Sequence, residues 1–198
     1  MTRRMTTLLA TILTLSACDN QDVPKAAAAV DPAKRETNAP HVQTRPAPTA
    51  FDNIIGFSDI EHCVPSKAFE QLLDGLLPTN QLGELIEPYQ PSFPPNYSSA
   101  FGKSGVTTDE YTNTANVQVS GVWQTLTVSN LEVWKTPESD NEGFAITFDA
   151  PFEEVRATLN KLGFRLPVSG KREEGEVLVS YVHIKSEAGQ TTLTCSAG

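Results

Sequence analysis

Alternation of apolar and polar side chains in the second half of the chain restricts its fold more than any other feature. The segments that show this period are residues 116–135, 144–148, 176–185 and 191–195. A period of two is typical of β-strands that bury one face. Ser129 and Asn130 interrupt the first segment, and residues 187–190 predict a hairpin turn between the last two. We therefore predict several antiparallel strands.

Two stretches with helical spacing lie among these strands. Ser66 is suited to cap a helix that ends before Pro78, and Pro151 begins a second helix that Gly163 ends. The apolar positions that share this spacing are Phe69, Leu72, Leu73, Leu76 and Leu77 in the first helix, and Phe152, Val155, Leu159 and Leu162 in the second. Such stripes favour packing on a core over partner binding.

The order of these elements predicts an α+β fold. Residues 54–135 and residues 144–195 each contain an extended segment, then a helix, then strands. We expect an antiparallel sheet with the two main helices packed on one of its faces. The repeated order is compatible with two pseudo-repeated α/β halves, although the residues themselves do not repeat.

A change of composition near residue 50 divides the chain. Residues 19–50 contain five prolines and four residues of each charge sign, with few large apolar side chains. This composition is typical of a disordered, extended tether. Residues 51–198 have the length of one domain with its own core, and we predict a single globular α+β domain there.

The first 18 residues resemble the signal peptide of a bacterial lipoprotein. Arg3 and Arg4 precede a mostly apolar run that ends at Leu15, and Ser16 and Ala17 lead to Cys18. The run is about half of the roughly 20 residues that a membrane span needs, which argues against an uncleaved anchor. The resemblance implies that residues 1–17 are removed. It also implies that Cys18 carries diacylglycerol and a fatty acyl chain such as palmitate at the start of the tether, residues 18–50.

Lipidation would place the domain at the bacterial cell envelope, facing the periplasm. The membrane would be bound through the lipid on Cys18, because no later segment is apolar enough to span. Asp19 after the lipidated cysteine is similar to the inner-membrane retention signal of enteric bacteria. The resemblance therefore favours the inner membrane over the outer membrane.

Net charge restricts the partners of this domain. The chain has 15 basic and 24 acidic residues. Removal of residues 1–17, which hold two of the basic residues and none of the acidic ones, would leave a formal charge of −11. An acidic domain repels phosphate backbones, so we predict no nucleic-acid binding. The negative charge is typical of a soluble surface and also favours cationic partners.

Cysteine content predicts one disulfide. With Cys18 lipidated, Cys63 and Cys195 remain as an even pair in an oxidising compartment. Two free buried thiols are the alternative. A zinc site with His62 and His183 is disfavoured, because adjacent His62 and Cys63 lack the usual ligand spacing and an oxidised pair cannot bind the metal.

Aromatic residues supply the candidate binding surface. Residues 89–101 are rich in proline and aromatic side chains, and just before them Leu82, Leu85 and Ile86 have the spacing of a short helix. Long irregular segments often carry function. The competing interpretation is a strap whose aromatic side chains turn inward, with the tryptophans in the core. The residues of this possible binding surface are Tyr89, Phe93, Tyr97, Phe101, Trp123 and Trp134.

Catalytic motifs are not found in the sequence. Residues 102–104 echo the end of a P-loop, but Tyr97 occupies the position of its first glycine. No nucleophile elbow occurs, and His183 is interpreted as a partly buried strand histidine. We predict no catalytic residue, no metal and no cofactor, and we consider an enzyme the less favoured class.

The sequence therefore favours an envelope lipoprotein whose domain binds another envelope protein, as an inhibitor, an assembly factor or a scaffold. Two alternatives stay open. One is a module that binds a small ligand or a lipid, and the other is a periplasmic hydrolase with acidic catalytic residues.

Overall fold

Ten strands and two α-helices are formed by the residues that the structure, a computed structural model, describes. These residues are 47–139, 141–174 and 180–197. The strands are β1 (Thr49–Ala50), β2 (Phe57–Asp59), β3 (Val64–Pro65), β4 (Phe101–Thr108), β5 (Asn113–Trp123), β6 (Leu126–Lys135), β7 (Glu142–Phe148), β8 (Lys171–Glu174), β9 (Ser180–Glu187) and β10 (Gln190–Ala197). The helices are α1 (Lys67–Leu76) and α2 (Phe152–Leu162), and a 3-10 helix spans Pro95–Ala100.

Eight of these strands form one mixed sheet. Its order is β4, β5, β6, β7, β10, β9 and β8, and β1 pairs with the end of β5 beyond β4. All pairs are antiparallel except β1 with β5. The predicted mixture of helices with a mainly antiparallel sheet is confirmed. Residues 176–179 of one predicted strand lie outside the described part, and that strand is seen from Ser180 onward.

The core lies against one face of this sheet, which we call the inner face. Its residues alternate along the strands, as the sequence period predicts, except at an irregularity near Ser129 in β6. They are Ala115, Val117, Val119, Trp123, Leu126, Val128, Leu131, Val133, Phe144, Ile146, Phe148, Val182, Ile184, Leu193 and Cys195. Phe57 lies at the centre of an aromatic cluster, with ring centroids 5.8 Å from Phe69, 6.1 Å from Phe144 and 5.0 Å from Phe164.

Both α-helices begin and end close to the predicted residues. Ser66 caps α1, since its hydroxyl accepts a hydrogen bond from the amide of Phe69 at 3.4 Å. Gly163 ends α2 with a φ of 112°, which is in the left-handed region. Phe69 in α1 lies 5.0 Å from Phe144 in β7. None of the described helices has the length and apolar character needed to cross a membrane.

Two local predictions are wrong. The stretch with Leu82 and Ile86 forms turns instead of a short helix, because the Asn80 side chain accepts hydrogen bonds from the amides of Leu82 and Glu84 and Gly83 has a φ of 78°. The alternating run through Gln124 does not form one strand, because the chain reverses at Gln124.

A residue far away in the sequence stabilises the reversal at Gln124. Gln124 and Thr125 have φ values of 50° and 75°, which suit a tight hairpin turn. Asp52 accepts hydrogen bonds from the backbone and side-chain nitrogens of Gln124, at 3.0 and 2.9 Å. Ser129 instead lies at an irregularity in the pairing of β6 with β7.

The predicted disulfide is confirmed. Cys63 and Cys195 are bonded across a sequence separation of 132, and both are buried. The bond connects the segment before α1 to β10. Cys195 belongs to the inner face, whereas His183 lies on the opposite face of β9, so the four residues considered for zinc do not converge.

Candidate functional site

The opposite face of the sheet, which we call the outer face, is polar and half-exposed. Its side chains alternate with those of the inner face. They are Thr114, Asn116 and Gln118 in β5; Asn130, Glu132 and Trp134 in β6; Gly143, Ala145 and Thr147 in β7; Thr192, Thr194 and Ser196 in β10; Tyr181, His183 and Lys185 in β9; and Lys171 and Glu173 in β8.

Strand register places these residues in rows across the sheet. One row joins Trp134, Gly143, Ser196 and Tyr181 on four successive strands. At about 4.8 Å per strand spacing, the Trp134 and Tyr181 backbones are about 14 Å apart. Small residues thus separate two aromatic side chains.

A shallow groove, which we call the sheet groove, lies beside this row on the outer face and has a volume of about 450 Å³. Ala145, Thr147, Thr192 and Thr194 form its floor, and Tyr181 lines it on the far side. Thr147 and Thr192 form a hydroxyl–hydroxyl hydrogen bond at 3.0 Å. The groove therefore offers hydrogen-bonding groups on a rigid sheet rather than on loops.

Glu132 and Asn116 line the near side of the sheet groove. The Asn116 side-chain nitrogen donates a hydrogen bond to the Glu132 carboxylate at 3.0 Å, across strands β5 and β6. Asn130 also lines this side. The carboxylate is thereby oriented before any ligand binds.

Trp134 is half-buried, and its indole lies over Gly143. A Cβ atom added at Gly143 would be 2.2 Å from Cζ2 of Trp134 and 2.5 Å from the carbonyl oxygen of Cys195. Only glycine leaves room for the ring there. Trp134 is therefore held in one orientation on the outer face.

Tyr181 and His183 form the second aromatic feature of this face. Their rings stack with centroids 5.5 Å apart and an interplanar angle of 22°. Burial lowers the pKa of His183, and the positive charges of Lys171 and Lys185 lower it further. Among the described residues the Nδ1 atom of His183 is buried without a hydrogen-bond partner. The imidazole is therefore neutral at pH 7.

A second cavity, the disulfide cleft, opens between α1 and the ends of β6, β7 and β10, with a volume of about 350 Å³. Cys63, Cys195, Leu73, Val133 and Phe144 supply apolar walls. Charged and polar residues surround them; these are His62, Glu70, Asp74, Lys135 and Glu142. Trp134 lines both this cleft and the sheet groove.

Charges in the disulfide cleft are mainly negative. Lys135 donates to the Asp74 carboxylate at 2.8 Å. Glu70 and Glu142 are exposed, and neither has an ion-pair partner among the described residues. At the edge of the cleft His62 donates hydrogen bonds to Asp59, which lower the pKa of that carboxyl group. No group of three or more metal-ligating side chains occurs in the described part of the chain.

The aromatic residues proposed from the sequence do not share one surface. Phe101 and Trp123 are 9% and 2% exposed. Phe93 stacks on Phe101 at 4.6 Å, and Tyr97 lies 6.2 Å from Phe51. These contacts direct the segment toward the core, as a strap does.

Two further contacts hold this strap and its neighbouring tryptophan. Tyr89 donates its hydroxyl hydrogen bond to the carbonyl of Leu76 at 3.0 Å, and burial raises its pKa. Trp123 donates its indole N–H to the carbonyl of Ile55 at 2.8 Å. Of the six residues only Trp134 lies on the outer face.

Sequence reasoning did not identify Glu132, Tyr181 or His183 as members of one site. Alternation indicates that each of them faces away from the core, but the pairing of β7 with β10 is what brings β6 and β9 close. Cys18 and the tether up to residue 46 lie outside the described residues.

Comparisons with protein-family models, with curated proteins and with solved structures found no match to this chain.

Proposed function

We propose that the chain is a lipid-anchored protein of the bacterial cell envelope whose domain binds another envelope protein through the outer face of its sheet. The observation that carries this proposal is a sheet face that presents Trp134 and Tyr181, whose backbones are about 14 Å apart, with Gly143 and Ser196 between them in the same row. Aromatic side chains are enriched in protein interfaces and dominate their binding energy.

We infer that both helices pack on the inner face. Phe69 of α1 contacts Phe144, and both Phe152 of α2 and Ile184 approach the position that a Cβ of Gly170 would occupy, at 2.7 and 2.8 Å. Phe144 and Ile184 both belong to the inner face. With the helices there, the outer face carries no helix in the described part of the chain, and it stays available to a partner.

Half-buried aromatic side chains lower the conformational-entropy cost of binding a partner. Trp134 is held on Gly143, and Tyr181 is stacked on His183, so little rotamer freedom is lost when a partner covers them. The Asn116–Glu132 hydrogen bond likewise orients a carboxylate in advance. We therefore expect most of the binding energy to depend on the row from Trp134 to Tyr181.

We further propose that the domain contains two pseudo-repeated halves. A helix is followed by three consecutive antiparallel strands in each half: α1 precedes β4, β5 and β6, and α2 precedes β8, β9 and β10. The central pairing of β6 with β7 joins the halves. This arrangement supports a sheet wide enough for a continuous binding face.

Capture of the partner from crosslinked membranes tests the proposed interface. Thr194→Arg places a bulky cation on the floor of the sheet groove, and Ala157→Arg makes the same change on the exposed side of α2. We expect the wild type and Ala157→Arg to retain one stoichiometric envelope protein and Thr194→Arg to lose it. Equal capture by both variants would place the interface elsewhere.

Incorporation of labelled fatty acid tests the anchor. We expect the wild-type chain to be labelled and Cys18→Ala to be unlabelled and released from the membrane. Label that persists in Cys18→Ala would remove the basis for envelope localisation.

A further inference from the structure

We propose that the disulfide cleft receives a lysine or arginine side chain of the partner protein. This inference rests on the proposed function, because it assigns a specificity pocket to the same partner. The cleft, about 350 Å³, is at the lower end of the range for ligand sites, about 300–1000 Å³. The apolar walls and the negative charges of the cleft both favour a long basic side chain.

The walls of the cleft match the methylene stem of a long basic side chain. Leu73, Val133 and Phe144 are 7%, 3% and 4% exposed, so they present packed apolar surface at the bottom of the cleft. The Cys63–Cys195 disulfide adds a further apolar wall. Lysine and arginine bury such stems while keeping the charged group near water.

The charges of the cleft match the end of that side chain. Glu70 and Asp74 are one helical turn apart on α1, and Glu142 begins β7. Lys135 pairs with Asp74, which leaves the carboxylates of Glu70 and Glu142 for an incoming cation. Three carboxylates against one ammonium group give an attraction for a second cation.

Continuity with the outer face indicates that the cation comes from a protein. Trp134 lines both the disulfide cleft and the sheet groove, and its row neighbours Gly143 and Ser196 also border the cleft, so a chain that contacts Trp134 on the outer face is adjacent to the cleft. The indole also offers a π face to a guanidinium or ammonium group. A basic residue adjacent to the contact with Trp134 therefore reaches the cleft.

Titration with defined peptides tests the charge selectivity without knowledge of the partner. The probes are acetyl-Gly-Arg-Gly-amide and the same peptide with citrulline, which has the shape of arginine but no charge. Tryptophan fluorescence and NMR shifts of the full chain report binding. We expect saturable binding of the arginine peptide and at least about tenfold weaker binding of the citrulline peptide, because two carboxylates contribute.

Two matched variants test whether the carboxylates of the cleft cause this difference in affinity. Glu142→Gln removes one cleft carboxylate at the start of β7, whereas Glu138→Gln removes an exposed carboxylate of the preceding β6–β7 connection that does not line the cleft. We expect Glu142→Gln to weaken binding roughly threefold and Glu138→Gln to leave it unchanged. Equal binding of the two peptides, or equal effects of the two variants, would overturn the proposal.

Partner capture separates this inference from the proposed function. If Thr194→Arg loses the partner and Glu142→Gln with Glu70→Gln retains it fully, the outer face is the interface but the cleft does not receive a basic side chain. If the wild type captures no partner while the arginine peptide binds, the cleft is a site for free cations and both proposals fail. Loss of the partner in both variants supports both.

Discussion

Gly143 determines where the Trp134 side chain can lie, and the proposed binding face depends on that side chain. The Trp134 indole occupies the space above it, and the carbonyl oxygen of Cys195 is also close. The next residue on the same row, Ser196, is half-exposed. A single missing Cβ therefore allows an aromatic ring to lie over the sheet, within the proposed binding face.

Gly143→Ala should displace this ring and destabilise the fold. The added Cβ would lie 2.2 Å from the indole, and relief of such overlap costs about 1–3 kcal/mol. Urea unfolding of the full chain measures the change. Gly105→Ala is the control, because nothing lies within 4 Å of its added Cβ and Gly105 has no positive φ. A loss of stability in Gly105→Ala as large as in Gly143→Ala would contradict the explanation.

Protonation of His183 should make the domain less stable in acid. Its pKa is lowered in the folded state, so the unfolded chain binds the proton first as the pH falls. The contribution of His183 is complete above its ordinary pKa of 6.5 and is lost as the pH falls through the folded-state value. We expect the urea concentration at the midpoint of unfolding to decrease as the pH is lowered from 7 to 5.

Replacement of His183 by phenylalanine should reduce this pH dependence. His183→Phe keeps an aromatic ring beside Tyr181 but cannot titrate. His41→Gln, which removes a histidine of the tether predicted from the sequence, should keep the dependence. An unchanged slope in His183→Phe would assign the acid sensitivity to other groups.

Individual elements differ in how much of them a sequence can predict. Helices α1 and α2 and strands β5, β6, β7 and β10 follow from hydrophobic periodicity, because each buries one side against the core. Strand β4 does not, since Gly102, Lys103 and Gly105 interrupt any alternation, and it is formed by pairing with β5. The turn at Gln124 depends on Asp52, which is 72 residues earlier.

The sequence likewise predicts only part of the candidate site. Trp134 stands out in the sequence as one of two tryptophans, and alternation predicts that Trp123 and Trp134 face opposite sides of the sheet once the irregularity near Ser129 is known. Tyr181 becomes its neighbour only through the order of strands β6, β7, β10 and β9. Local pattern predicts the direction of a side chain but not the partner strand.

The first turn of α1 depends on Ser66, and Ser66→Ala should destabilise the domain by about 1 kcal/mol. The hydroxyl accepts the amide of Phe69, which would otherwise be left without this bond. Thermal unfolding gives the difference. Ser99→Ala, at an exposed position in the 3-10 helix, is the matched change and should be neutral. A neutral Ser66→Ala would mean that water satisfies the amide equally well.

At the scale of the whole molecule, the disulfide connects the segment before α1 to the last described strand. It also forms a wall of the disulfide cleft, so the same bond contributes to stability and to a proposed binding pocket. The proposed basic side chain of the partner is consistent with the net negative charge of the chain. Together these features describe an acidic domain, cross-linked between its ends, on a proposed lipid anchor.

Removal of the disulfide should cost up to about 5 kcal/mol, from the entropy of a closed loop of this length. The double variant Cys63→Ser with Cys195→Ser should have a lower urea midpoint than the wild type, and a reductant should lower the midpoint of the wild type but not that of the double variant. Cys18→Ala is the control and should retain the wild-type midpoint. A double variant as stable as the wild type would show that the loop closure contributes little.

Photo-crosslinking from the outer face is the most direct test of the proposed interface. A photoreactive amino acid replaces Thr194 on the floor of the sheet groove, or Ala157 on the exposed side of α2, in the lipidated chain in its native membrane. We expect Thr194 to give one crosslinked envelope protein, Ala157 to give none, and the additional change Trp134→Ala to reduce the product. A product of equal yield from Ala157, or none from Thr194 under every growth condition, would contradict a binding face on this side of the sheet.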